Sequence, residues 1–91
     1  MPRYVIERTF VDGLHIPLTE AGVRLVAQVN RHNAALGVNW VHSYVSDDNS
    51  RTYCVYDAPS PDAVRQAAER NGLPVNAITE VRVLDPFFYR P

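Results

Sequence analysis

Four short segments of the chain alternate apolar and polar residues, a pattern typical of strands with one buried face. They are residues 3–10, 38–46, 51–57 and 78–85, and all are rich in β-branched and aromatic side chains. Two further segments follow helical spacing. The first covers about 19–36, with Thr19 as N-cap and Gly37 at its end. The second is capped by Ser60, starts at Pro61 and stops before Gly72.

The resulting order is β-α-β-β-α-β, which is the split βαβ or ferredoxin-like arrangement of the α+β class. Right-handed crossovers place both helices on one face of a four-stranded antiparallel sheet. The four residues "DDNS" join the second and third strands as a hairpin, and the chain ends in the aromatic segment "PFFYRP". With 91 residues there is room for one modest core, so we expect a single domain spanning 1–91.

Strand alternation also assigns side chains to the two faces of this sheet. We expect one face to pack beneath the helices, carrying Val41, Ser43, Val45, Tyr53, Val55, Val81 and Val83. The opposite face would carry Val38, Trp40, His42, Tyr44, Thr52, Cys54, Tyr56, Glu80 and Arg82. Left bare, its aromatic groups would form an apolar patch of a size that monomers rarely expose. We therefore expect a homodimer that stacks two sheets, a dimeric α+β barrel.

The hairpin register determines which polar groups of that second face meet. If Val45 pairs with Arg51, His42 lies directly opposite Cys54. An imidazole suits nickel, zinc and copper, and a thiolate adds affinity for softer ions. The chain has no Cys-x-x-Cys and no His-x-x-x-His motif, so a metal site would have to be assembled from separate elements or across a two-fold axis.

Several motifs resemble those of a known family: "YVIERTF" at the start, "WVHSYVSDD" and "YCVYDAPSPDAVRQAAERNGLP" in the middle, and "EVRVLDPFFY" at the end. They are similar to the motifs of a family of small bacterial, ferredoxin-like, nickel-binding proteins. The likeness covers nearly the whole chain. It implies a ferredoxin-like homodimer that binds a transition metal near the dimer surface.

The expected function is therefore nickel binding for sequestration or buffering, with Zn²⁺, Co²⁺ or Cu²⁺ as alternative ions. We expect His42 to be a metal ligand, with His15 as the likeliest helper and Cys54 and Glu7 as further candidates. The alternatives are ordinary structural roles: a packed, hydrogen-bonded histidine at position 42 and a small buried side chain at position 54. His32, on the polar part of the first helix, is expected to be solvated.

A different function uses the same aromatic face. Trp40, His42, Tyr44, Tyr56 and Arg8 could line a pocket between two stacked sheets, with Arg8 or Tyr44 holding an anionic group and His42 acting as a base. Dimeric α+β barrels host cofactor-free enzymes, but that is an analogy from fold alone. The sequence has no Ser-His-Asp arrangement and no phosphate loop, so binding is favoured over catalysis. A third possibility is an interaction module without a ligand.

Composition narrows the range of expected binding partners and the expected cellular compartment. Nine basic residues balance ten acidic ones and are scattered, which argues against nucleic acid. No apolar run approaches the roughly 20 residues of a membrane span. The N-terminus reads as a strand rather than a signal peptide. A single cysteine excludes an internal disulfide and fits a reducing cytosol. The expectation is a cytoplasmic protein.

Overall fold

The computed structural model describes residues 1–14 and 20–89, with the backbone alone at 88 and 89. Its elements are β1 (Arg3–Thr9), α1 (Glu20–Ala35), β2 (Asn39–Val45), β3 (Arg51–Asp57), α2 (Pro61–Arg70) and β4 (Ala77–Val81), followed by a short 3₁₀ helix (Pro86–Tyr89). The sheet order is β2-β3-β1-β4, with antiparallel pairing throughout. This confirms the ferredoxin-like βαββαβ fold.

The helix ends follow the capping residues of the sequence. Ser60 has extended backbone angles, and its hydroxyl accepts a hydrogen bond from the Ala63 N–H, with Pro61 in the first turn. Gly37 and Gly72 follow the two helices with φ of +70° and +67°, the left-handed conformation that ends many helices. Thr19, the predicted cap of α1, lies outside the described residues.

The core lies between the sheet and the two helices. Ile6 and Val64 have almost no exposed surface, and Tyr4 and Tyr56 are nearly as buried. They pack in one cluster whose remaining members are Val38, Cys54, Ala58 and Ala67. Tyr4 and Ile6 alternate along β1, so both side chains lie on this helix-covered face.

The faces predicted for the hairpin strands are wrong for β3 and for Trp40. Trp40 packs against the helix-covered core, and Cys54 and Tyr56 belong to it. Tyr53 and Val55 of β3 alternate with those buried residues and so point to the other face. The last four residues of β2 lie as predicted, with Ser43 and Val45 on the helix-covered face and His42 and Tyr44 on the other.

A β-bulge in β2 accounts for part of this reversal. Trp40 pairs with Tyr56 and His42 with Val55, so a step of two residues along β2 corresponds to a step of one residue along β3. Val41 is the extra residue, and beyond it every side chain changes face. Trp40 and Ser43 consequently lie on the same side, and the Trp40 indole N–H donates a 2.8 Å hydrogen bond to the Ser43 Oγ.

The hairpin register between the loop and the bulge also differs from expectation, because Ser46 closes the loop with a hydrogen bond from its N–H to the Arg51 carbonyl. Val45 pairs with Thr52, not with Arg51, and Cys54 lies opposite Ser43. The expectation that His42 faces Cys54 across the hairpin is therefore wrong. The last strand is also shorter than expected, since β4 ends at Val81 and residues 82–85 have no regular structure. In the described part of the chain, no helix is long and apolar enough to span a membrane.

The hairpin loop is held by one carboxylate. Asp48 Oδ1 accepts hydrogen bonds from the Ser46 Oγ at 2.7 Å and from the Ser50 N–H and Oγ at 2.9 and 2.7 Å. Asn49 beside it has φ of 61°, a conformation that asparagine tolerates in turns. These hydrogen bonds, that from the Ser50 hydroxyl foremost, lower the pKa of Asp48 to about 2.

We therefore expect the loop to lose support only in strong acid. A carboxyl whose pKa is lower in the folded than in the unfolded chain stabilises the fold above its ordinary pKa of about 3.9. That contribution falls away as the pH drops toward 2. An NMR titration of the Asp48 carboxyl should give a midpoint near 2, and Asp48→Asn should flatten the pH dependence of unfolding in this window. A midpoint near 3.9 would contradict the hydrogen-bonded loop.

Candidate functional site

The sheet has one face away from both helices, which we call the open face. Its central residues come from β1, β3 and β2: Val5, Glu7, Tyr53, Val55, His42 and Tyr44. Val5 and Tyr53 are half-buried and Val55 is buried, whereas Tyr44 is 63% exposed. The open face therefore combines apolar surface with the carboxylate of Glu7 and the imidazole of His42.

His42 is the exposed imidazole of the open face. It lies on β2, an edge strand, directly after the bulge. Its ring meets the Tyr44 ring edge to face, with centroids 5.1 Å apart and planes at 86°. This contact orients the imidazole and leaves the side chain exposed to solvent, so a metal ion has access to it.

Glu7 shares the open face but is not a neighbour of His42. It pairs with Tyr53, which in turn pairs with Tyr44, so it lies one row away from His42 and two strands across. Two strand spacings correspond to roughly 10 Å. Among the residues described here, no three His, Cys, Asp or Glu side chains form a group that could hold a metal ion. One chain thus offers separate donors rather than a finished site.

The other two metal candidates do not add to this set. Cys54 is 7% exposed and lies on the helix-covered face, with its Sγ 3.6 Å from the Thr52 Oγ1. It therefore matches the alternative of a small buried side chain and cannot share an ion with His42 of the same chain. His15 lies outside the described residues.

His32 has a structural partner rather than free solvent around it. Its Nδ1 is 2.7 Å from the Asn71 Oδ1, which ties α1 to the end of α2. The Asn71 Nδ2 in turn donates to the Asn33 Oδ1 at 3.2 Å. The expectation that His32 is simply solvated is wrong, but its role in packing agrees with its omission from the metal candidates.

One cross-strand ion pair of the sheet joins Arg3 on β1 to Asp57 on β3. The Arg3 Nε and Nη2 donate to the two oxygens of Asp57 at 2.8 and 3.1 Å. The hydrogen bond from Arg3 lowers the pKa of the Asp57 carboxyl. Arg3 is therefore fully paired at the rim of the open face.

The residues expected to line a ligand pocket are divided between the two faces. Tyr44 is on the open face, whereas Arg8, Trp40 and Tyr56 line a cavity of about 180 Å³ between the sheet and α1. The walls that α1 supplies, Leu25, Val26 and Val29, were not anticipated as pocket residues. Their helical spacing signalled a buried stripe, but nothing in it distinguished a packed stripe from a cavity wall.

Arg8 is the unusual group of this cavity. It is only 3% exposed, and its guanidinium carbon lies 5.8 Å from the centre of the Tyr56 ring. Its Nε and Nη1 have no hydrogen-bond partner in the described part of the chain, and no ion pair there includes it. Burial raises the pKa of Tyr56, and the Arg8 charge opposes that rise.

Comparison with known proteins gives a family and a fold. The family model described as "Nickel responsive protein SCO4226-like" matches residues 4–81. Among solved structures, SCO4226 from Streptomyces coelicolor A3(2), known from a crystal structure analysis, aligns with a TM-score of 0.70 and 18% identity. The alignment covers 91% of this chain and 99% of that one, and at this identity it shows the fold alone. No curated protein matches the chain.

The placement of Cys54 on the covered face gives a direct test of the two faces. A thiol reagent should modify Cys54 in the folded protein at least about tenfold more slowly than in urea, because access requires opening of the helix layer. The matched control is Gln66→Cys in a Cys54→Ser background, since Gln66 is exposed on α2. If native Cys54 reacts as fast as this control, the assignment of the covered face is wrong.

Proposed function

Because the chain belongs to the SCO4226-like family of nickel-responsive proteins, we propose that it binds Ni²⁺ and serves to sequester or buffer the ion. The observation that supports binding at the sheet is the exposed imidazole of His42 on the open face. Neutral imidazole is a good ligand for nickel, and carboxylate oxygens complete such sites in many proteins.

One chain supplies too few neighbouring donors for a stable site. His42 on β2 and Glu7 on β1 have β3 between them, and Cys54 is on the other face. We therefore propose that the ion is bound where a second copy adds its own His42, with His15, which precedes α1 in the sequence, as a further ligand. A two-fold axis over the open face would bring two copies of each donor together.

The same open face supports a homodimer. Both α1 and α2 pack on the opposite side of the sheet, so within the described residues neither of them lies over Val5, Tyr53 and Tyr44. Stacking of two such faces would bury this apolar surface and stabilise the pair by the hydrophobic effect. Metal binding and dimerisation are then coupled, because each brings the other's groups into place.

The metal test uses untagged protein, so that no affinity-tag histidine contributes. Dialysis against equal Ni²⁺, Zn²⁺, Co²⁺ and Cu²⁺, followed by elemental analysis, identifies the ion that the protein retains. His42→Ala should weaken Ni²⁺ binding at least about tenfold, equivalent to about 1.4 kcal/mol. His32→Ala is the matched control and should leave nickel affinity unchanged, because its ring is engaged with Asn71.

Two results of this experiment would count against the proposed site. Wild-type affinity in His42→Ala would exclude the imidazole of the open face as a ligand. Loss of binding in His15→Ala alone would place the ion on the loop before α1. Absence of retained nickel in the wild type would overturn the proposed function itself.

The dimer has its own test. Tyr44→Glu places a charge on the open face at a residue that is already 63% exposed in the single chain, so the fold should tolerate it. Sedimentation velocity should show a dimer for the wild type and a monomer for Tyr44→Glu, since two copies of the new carboxylate would be buried together. Val23→Glu, on a 71% exposed position of α1, is the control and should remain dimeric. A monomeric wild type at micromolar concentration would contradict the proposed assembly.

A further inference from the structure

The helix-covered cavity contains the guanidinium of Arg8, which forms no ion pair with any described residue. Arg8 reaches into a space of about 180 Å³ whose other walls are almost entirely apolar. Its Nε and Nη1 lack hydrogen-bond partners within the described residues. A buried guanidinium without a counter-charge is strongly unfavourable, because it loses its hydration without gaining an equivalent interaction.

The other arginines in the described part of the chain are not buried in this way. Arg3 is half-buried and binds both oxygens of Asp57, and Arg65 is exposed and pairs with Asp62. Arg8 lies instead on the central strand β1, between the core and α1, with the Tyr56 ring 5.8 Å away. The contact with Tyr56 favours the cation but leaves the Nε and Nη1 of Arg8 without a hydrogen-bond partner among the described residues.

We propose that this cavity binds a small monocarboxylate with an apolar body, and that Arg8 binds the carboxylate. The site is separate from the proposed nickel site, which is on the opposite face of the sheet. Arginine is the side chain best suited to a carboxylate, because its planar group donates several N–H bonds to the two oxygens.

The size and the lining of the cavity define the rest of the ligand. Leu25, Val26 and Val29 of α1 form one wall and Trp40 and Tyr56 of the sheet form another. An apolar cavity of about 150 Å³ accommodates benzene, so this one accommodates a single ring or a short branched chain bearing one carboxylate. A phosphate would carry more charge and more oxygens than Arg8 alone could satisfy within apolar walls.

The test uses benzoate as the probe and benzamide as its neutral counterpart of the same shape. Trp40 is the single tryptophan of the chain and lines the cavity, so its fluorescence reports occupancy directly. Benzoate should give a saturable change and raise the unfolding temperature, whereas benzamide should bind at least about tenfold more weakly, a difference of about 1.4 kcal/mol. Inorganic phosphate should not compete.

Arg8→Met keeps an unbranched apolar stem and removes the guanidinium with its charge. It should lose benzoate affinity at least about tenfold, whereas Arg82→Met, at an exposed arginine outside the cavity, should bind as the wild type does. If Arg8→Met does not fold, the Arg8 Nε–H resonance of ¹⁵N-labelled wild type provides the same information, because benzoate should shift it.

Four outcomes would overturn the proposal. The first is an absence of saturable binding of benzoate up to about 10 mM, since affinities near 1 mM correspond to only about 4 kcal/mol. The second is equal binding of benzoate and benzamide, and the third is unchanged affinity in a folded Arg8→Met. Phosphate that binds as tightly as benzoate would show a general anion site instead of one for apolar carboxylates.

Discussion

The β-bulge between Trp40 and His42 determines which side chains of β2 face the helices and which lie on the open face of the sheet. With the extra residue Val41, the strand turns Trp40 and Ser43 toward the helices and His42 toward the open face. In an unbroken strand Trp40 and His42 would share a face, and one of them would be misplaced: either an imidazole would enter the apolar core or the indole would leave it. Burial of a large aromatic side chain stabilises the fold by about 1.5–3 kcal/mol, which is ample reason for the strand to accommodate the extra residue.

The bulge explains which parts of the structure the sequence could predict. Strand and helix order, the Ser60 cap and the glycine ends follow from local signals of a few residues, and all are found in the structure. The assignment of faces depends instead on counting in twos along an uninterrupted strand. A single bulged residue in β2 makes that count fail for Trp40. The hairpin register was missed for a separate reason, because Ser46 rather than Val45 lies opposite Arg51. Because β3 has no bulge of its own, only its pairing with a correctly placed β1 identifies Cys54 and Tyr56 as core residues.

The candidate sites were predictable to different degrees for the same reason. The resemblance of the motifs pointed to nickel, and the family to which the chain belongs is named as nickel-responsive. The choice of His42 rested on side-chain chemistry, and its exposed position is compatible with that choice. The covered cavity was not predictable in its actual place, because it depends on a gap between α1 and the sheet. Arg8 shows what the sequence alone does not reveal. Alternation gives its face once Ile6 is known to be buried, but only the packed structure shows that its Nε and Nη1 have no partner among the described residues.

The two faces of the sheet therefore carry different proposed roles, with a metal site on one and a carboxylate site under the helices on the other. That division depends on the strand register around the bulge. The most direct measurement is the set of cross-strand nuclear Overhauser effects between β2 and β3 in a labelled sample. The structure predicts contacts that pair His42 with Val55 on one side of the bulge and Trp40 with Tyr56 on the other. Contacts that pair Val41 with Tyr56, or His42 with Cys54, would show an unbulged hairpin and would contradict this account of both faces.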